Sequence, residues 1–242
     1  MRKIKNLFIA LSVLFCVLGL TFNYAQEKST LNKDEEVIRK SQIATLDSIQ
    51  LLTKSQLTVQ WNNDNTAPNM IAGKLDDGAF LQSSISHEQA AIKFLEKFKN
   101  VFVLKEPKQE LKIAQRITDD LGNTHLKFDQ YYQGLSIFGA QLIVHFNSRG
   151  EIYLFNGRYC PSFILSTQPI ISNTEAIRIA VNNSKVVTDS TSNRLVIFPG
   201  LNLNDPKLAW DVLLFNKIKT RQQYIIDAKS GRILFIDDGI RF

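Results

Sequence analysis

The chain has 242 residues, 44% of them hydrophobic and 21% charged, with 29 Lys and Arg against 23 Asp and Glu for a formal net charge of +6. That is enough for one large domain or two small ones, and too mixed for a disordered or fibrous protein. Basic residues alternate with acids, as in Glu96-Lys97-Phe98-Lys99, and no basic run or aromatic-basic interleaving marks a nucleic-acid surface.

Arg2, Lys3 and Lys5 precede an uncharged apolar run over residues 7–20, and Ala25 supplies a small residue beyond it. This is the layout of a secretory signal peptide, cut after Ala25. The run is short for a membrane span of about 20 apolar residues, so no stable span is expected once the signal is gone. Cleavage removes those three basic residues and no acid, and the net charge falls from +6 to +3. It also removes Cys16, leaving Cys160 without an internal disulfide partner. Between Tyr159 and Pro161, Cys160 reads as a small buried hydrophobe.

Residues 26–55 form a polar segment whose loose periodicity at Val37, Ile38, Ile43, Leu46 and Ile49 is that of a surface helix. A short strand leads to Trp61, and Asn62-Asn63-Asp64-Asn65 with Pro68 marks a turn. Ser86 and Gln89 have capping-box spacing, and Ala90, Ala91, Phe94, Leu95 and Phe98 fall on one helical face. Alternation then places strands at Leu111, Ile113 and Ile117, at Leu126, Phe128 and Tyr132, at Leu142, Val144 and Phe146, and at Ile152 and Leu154. Turns fall at Gly122 and Gly150. Such one-sided alternation predicts an antiparallel sheet with one covered and one wetter face.

The pattern recurs. Ser172 and Glu175 repeat the capping spacing ahead of Ala176, Ile177, Ile179, Ala180 and Val181, and strands follow at residues 195–198, 208–215, 224–227 and 232–235. Ser148-Arg149-Gly150-Glu151-Ile152 parallels Lys229-Ser230-Gly231-Arg232-Ile233. The expected class is α+β: two tandem cystatin-like units, each a helix packed on an antiparallel sheet, meeting near residues 159–162.

The stretch from His125 to Phe146, with Gln133-Gly134-Leu135-Ser136-Ile137-Phe138-Gly139 at its centre, resembles the fungalysin/thermolysin propeptide (FTP) domain. Ala140 stands where that family usually has a second glycine. Leu208-Ala209-Trp210-Asp211-Val212 with Tyr224-Ile225-Ile226-Asp227 through Leu234 is similar to the PepSY domain that accompanies it. The implied organisation is an FTP-like domain over 56–160 and a PepSY-like domain over 161–242. The sequence ends at Phe242, where the catalytic domain of such a precursor would begin. The resemblance implies a non-catalytic protein, secreted or periplasmic, whose partner is a secreted thermolysin-like metalloprotease that it inhibits or helps to fold. A remnant or separately encoded pro-region of a protease precursor is the alternative. Phe138 and Gly139, with the tail residues Ile240 and Phe242, are the candidate contacts, the tail either reaching the protease or folding back on its own sheet.

No catalytic residue, metal ligand or cofactor is expected. Zinc peptidases need H-E-x-x-H, and His87-Glu88-Gln89-Ala90-Ala91 ends in Ala91. Glu88 instead suits the positive end of a helix dipole. Asp119-Asp120 and Asp237-Asp238 read as solvated turn acids. His125 and His145 read as partly buried strand histidines with local hydrogen bonds, in preference to a network that meets the protease.

Overall fold

The computed structural model describes residues 33–82, 84–184, 187–216 and 221–239. The chain divides between Ile43 and Ala44 into two units. The first helix among the described residues, α1 (Lys33–Thr53), runs through that division. On its first half Glu36 and Lys40 pair at i,i+4 spacing, 2.8 Å apart.

From Ala44 onward the elements are β1 (Thr58–Trp61), β2 (Pro68–Ala72), α2 (His87–Lys97), α3 (Lys99–Phe102), α4 (Pro107–Glu110), β3 (Leu111–Thr118), β4 (Thr124–Tyr132), β5 (Leu135–Phe146) and β6 (Ile152–Arg158). They continue with α5 (Asn173–Asn183), β7 (Ser190–Phe198), β8 (Lys207–Phe215), β9 (Arg221–Asp227) and β10 (Ile233–Asp237). Mixed α+β architecture results, mostly sheet with few helices. β3-β4-β5-β6-β2-β1 are antiparallel neighbours, as are β7-β8-β9-β10. A single parallel bridge, Ile137 to Ile197, joins β5 to β7.

α2 begins where its sequence says it should. The Ser86 side chain accepts from the Gln89 N–H and the Gln89 side chain accepts from the Ser86 N–H, so two free donors at the helix start are satisfied together. Its apolar face buries Ala90, Ala91, Phe94 and Leu95 against Leu126, Phe128, Leu142, Val144 and Phe155 of the sheet. Phe94, Phe98, Phe102 and Phe155 form a run of tilted and edge-on rings through this core. Each fully buried Phe contributes about 1.5–3 kcal/mol of apolar transfer.

α5 packs on β7, β8 and β9 rather than on the first six strands. Ser172 accepts from the Glu175 N–H, but Glu175 turns away to Arg178 at 2.7 Å, and only half of the anticipated reciprocal cap forms. The turn around Asn62 is tighter than the composition implies. The Asn62 side chain accepts from the Thr66 and Ala67 N–H groups, and Pro68 opens β2, where a first-residue proline forfeits no ladder bond.

Between the two sheets lies a small cluster of Ile137, Ala140, Cys160, Ile197, Leu208 and Ala228. Gln130 closes it. Its Nε2 donates to the Cys160 carbonyl at 2.7 Å and its Oε1 accepts from the Cys160 N–H at 2.8 Å. A side-chain amide thus stands in for a neighbouring strand where the chain leaves β6. Beyond it the Tyr132 hydroxyl accepts from the Leu165 N–H, and Trp210 Nε1 donates to the Ile171 carbonyl.

Candidate functional site

The face of the six-stranded sheet opposite α2 is set by register, because paired residues in an antiparallel ladder share a side. Leu126, Phe128, Leu142 and Val144 point to α2 and are buried. Their neighbours Lys127, Asp129, Gln141, Ile143 and His145, with Asn156 on β6, therefore form the open face, each half-buried. Gln141 Nε2 donates to Asp129 Oδ1 at 2.6 Å, and Lys112 lies 4.1 Å above the Tyr131 ring.

β3 departs from the alternation its sequence implies. A bulge between Ile113 and Gln115 pairs Ile113 with Phe128 on the helix side and Ile117 with His125 on the open side. Both isoleucines are 48% exposed, so this strand borders the core without being covered by it.

The centre of the open face is a hydrogen-bonded chain of four side chains. His125 and His145 are cross-strand partners, with Nδ1 atoms 2.6 Å apart. His125 Nε2 lies 3.3 Å from Asp119 Oδ2, and His145 Nε2 lies 2.7 Å from Asn156 Oδ1. Asp119 also accepts from the N–H groups of Leu121 and Asn123 and from Asn123 Nδ2. Those bonds, the Asn123 ones foremost, hold its carboxyl below the usual range. Burial lowers His145 below the ordinary imidazole value, and the neighbouring His125 adds to that lowering. The expected local partners of the two histidines are thus largely each other. Asp119, expected as a solvated turn acid, and Asn156, which the sequence reading did not single out, complete the chain.

The register that creates this pair is not that of a plain hairpin. Tyr132 pairs with Leu135 around the Gln133-Gly134 turn, and straight continuation would set His125 against Leu142. Between Tyr131–Ser136 and Asp129–Gln141, however, β4 spends one residue and β5 spends four. Those four are Ile137, Phe138, Gly139 and Ala140. The excursion moves the register by three residues, bringing His145 opposite His125 while it gives Ile137 to β7. Gly139 has φ 67°, a conformation that glycine adopts without penalty.

Phe138, proposed from the sequence as a contact residue, leans on the second sheet. Its ring centroid lies 6.0 Å from Phe198 and 6.4 Å from Phe235, beside Val196, Ala209 and Ile225. Gly139 is exposed next to it. Ile240, Phe242 and the cleavage residue Ala25 lie outside the described residues. Cys160 is 2% exposed, and burial pushes its thiol up to about 12, so little reactive thiolate exists at neutral pH.

His87 stands apart from the other two histidines. Its ring meets Phe146 edge-on at 5.0 Å, on the helix side of the sheet, and Arg116 lies 3.5 Å from its Nδ1. Ala91, in the position of the second ligand of a zinc peptidase helix, is wholly buried. Among the described residues no group of three or more His, Cys, Asp or Glu is arranged to hold a metal ion. Nor is any helix among them long and apolar enough to cross a membrane.

Residues 109–159 match the Fungalysin/Thermolysin Propeptide Motif, a span from the end of α4 through β6 that contains the histidine chain and the β5 excursion. The chain is 29% identical over 188 residues to thermolysin of Alicyclobacillus acidocaldarius, covering 72% of this chain and 33% of that protein. It is 25% identical over 210 residues to bacillolysin of Bacillus subtilis, covering 81% and 40% respectively. It therefore spans about a third of the length of the curated thermolysins it matches. Among solved structures, the Bacillus megaterium YpeB C-terminal domain aligns over 87% of this chain and 99% of its own at 16% identity, with a TM-score of 0.35. The propeptide motif and the thermolysin similarity together suggest a pro-region.

Proposed function

We propose that this protein is a non-catalytic, pro-region-like module that binds a secreted thermolysin-like metalloprotease, as its inhibitor or as an assistant to its folding. The observation that carries the reading is the propeptide-motif match over residues 109–159, extended by similarity to thermolysin over 72% of the chain. Two tandem cystatin-like units, FTP-like over 56–160 and PepSY-like over 161–242, fit the repetition of a capped helix on antiparallel strands, α2 on the first sheet and α5 on β7–β9.

In this reading the work is done by a surface. The half-buried open face of the first sheet offers side chains for recognition, and Gly139 lies exposed where β5 crosses toward β7. The Phe138 ring is engaged with Phe198 and Phe235, so its part is to set the shape of that rim. Ile240 and Phe242 remain the proposed tail contacts. Cleavage after Ala25 would deliver the protein to the periplasm or the medium, where such proteases act.

The test has two arms. The purified protein is titrated into an active thermolysin-like protease, and separately added to that protease's denatured catalytic domain during refolding. A fall in peptidase rate identifies the inhibitor, and a higher yield of active enzyme identifies the folding assistant. Absence of both effects overturns the proposal.

A further inference from the structure

The protons of the histidine chain can be counted. Asp119 is an acceptor, and so is Asn156 Oδ1, so both Nε2 atoms carry hydrogen in the observed arrangement. The two Nδ1 atoms at 2.6 Å then need one proton between them, neither none nor two. The pair holds three ring protons and a single positive charge beside the Asp119 carboxylate, and short charge-assisted bonds are of this kind. Turning the Asn156 amide over lets His145 Nε2 accept instead, and the same chain then closes with two ring protons and no charge. No orientation accommodates a fourth proton, which would press two N–H groups and two imidazolium charges together.

We propose that the Asp119–His125–His145–Asn156 chain is an acid-sensitive clamp on the β4–β5 register, closed on neutral or singly protonated rings and opened by the second charge. The clamp spans the part of the ladder whose register is shifted by the β5 excursion. Through Asp119 it also ties down the β3–β4 turn. Among the described residues, the ionisable groups facing the rings are Asp119 from that turn, Lys127 on β4 and Tyr153 on β6, whose ring lies 6.0 Å from His145. β3 offers the uncharged Ile117 and Gln115, β5 offers Ile143, β6 offers Leu154, and β2 places Met70 and Ala72 alongside. Asp119 is the acid in that set, and it is already committed to His125.

The sign follows from burial. His145 is lowered in the folded state, so the unfolded chain takes up the second proton more readily, at about the ordinary value of 6.5. Stability from the clamp is complete above that value and is lost as pH falls through the lower folded one. Burial, reinforced by the nearby Arg116, also lowers His87, which acts in the same direction and must be separated.

The chain has three histidines, so urea unfolding from pH 7.5 to 5 and nitrogen-15 NMR of the imidazoles separate their roles. For the intact protein the unfolding constant should rise about tenfold for each unit by which the folded value is lowered. H87Q should retain most of that rise, and H145Q should lose most of it. NMR of the unmodified protein should show one strongly downfield ring proton shared between the two Nδ1 atoms, vanishing as the second charge enters. An undiminished acid response in H145Q would overturn the clamp. If H145Q does not fold, the spectrum decides, and two rings that titrate independently with no shared proton would overturn it equally.

Discussion

α2 brings Phe94 and Leu95 to its sheet, with two alanines beside them, whereas the fully buried residues of α5 are Ala176 and Ala180. In the first core the helix adds bulk of its own: Phe94 meets Phe98 and Phe102, and Phe102 of α3 meets Phe155 of β6. In the second core the sheet supplies it, through Val212, Leu214, Tyr224 and Ile226, and the small helix residues let the helix come close. The sheet supplies bulk in both cores, and what differs is how much the helix adds. Helix substitutions should therefore weigh more heavily in the first half than in the second. The seam between them depends on neither helix. It rests on Gln130, the Tyr132 hydroxyl and the residues of the β5 excursion.

The largest expected effect is that of Phe94→Ala, which leaves a cavity among Phe80, Phe98 and Phe102 and should cost about 3–5 kcal/mol in urea unfolding. Gln130→Leu keeps the volume but leaves the Cys160 N–H and carbonyl buried without partners. At about 1–3 kcal/mol for each stranded group, the two together should cost at least about 2 kcal/mol. It should also raise amide exchange along residues 160–165, a local signature that Phe94→Ala lacks. The smallest effects sharpen the comparison of the helices. Ser86→Ala removes half of a reciprocal cap and should cost about 1 kcal/mol, while Ser172→Ala removes a one-way cap and should cost about 0.5 kcal/mol. Equal losses would mean that the Gln89 return bond, which survives Ser86→Ala, does not strengthen the serine bond it accompanies.

Much of this fold is legible in the sequence because local chemistry and tertiary packing agree. Ser86 and Ser172 start their helices, Gly122, Gly150 and Gly231 take positive φ at their turns, and each strand in the second half contains its expected apolar run, although β7 and β9 begin earlier, in the polar residues Ser190–Arg194 and Arg221–Gln223. The candidate site is less legible for a physical reason. Facing positions across a hairpin follow from its register, and irregularities invisible to alternation set the register here. The four-residue excursion at Ile137 to Ala140 puts His145, not Leu142, across from His125. The bulge after Ile113 sends Ile113 and Ile117 to opposite faces. Asp119 looked like a solvated turn acid, and it does cap its turn, but the same carboxylate reaches His125. Glu175 had the spacing of a cap and found Arg178 three residues on. Tertiary geometry settled the partners of Asp119, and a neighbour one helical turn on settled that of Glu175.

The binding of a thermolysin-like protease, proposed above, is open to a direct test. Equilibrium sedimentation of residues 26–242 mixed with the folded catalytic domain of such an enzyme tests it without depending on either inhibition or refolding. The account predicts a one-to-one complex at micromolar concentrations and neutral pH. Two species that sediment independently at every ratio, against thermolysin-like enzymes taken from the protein's own secretion environment, would contradict it.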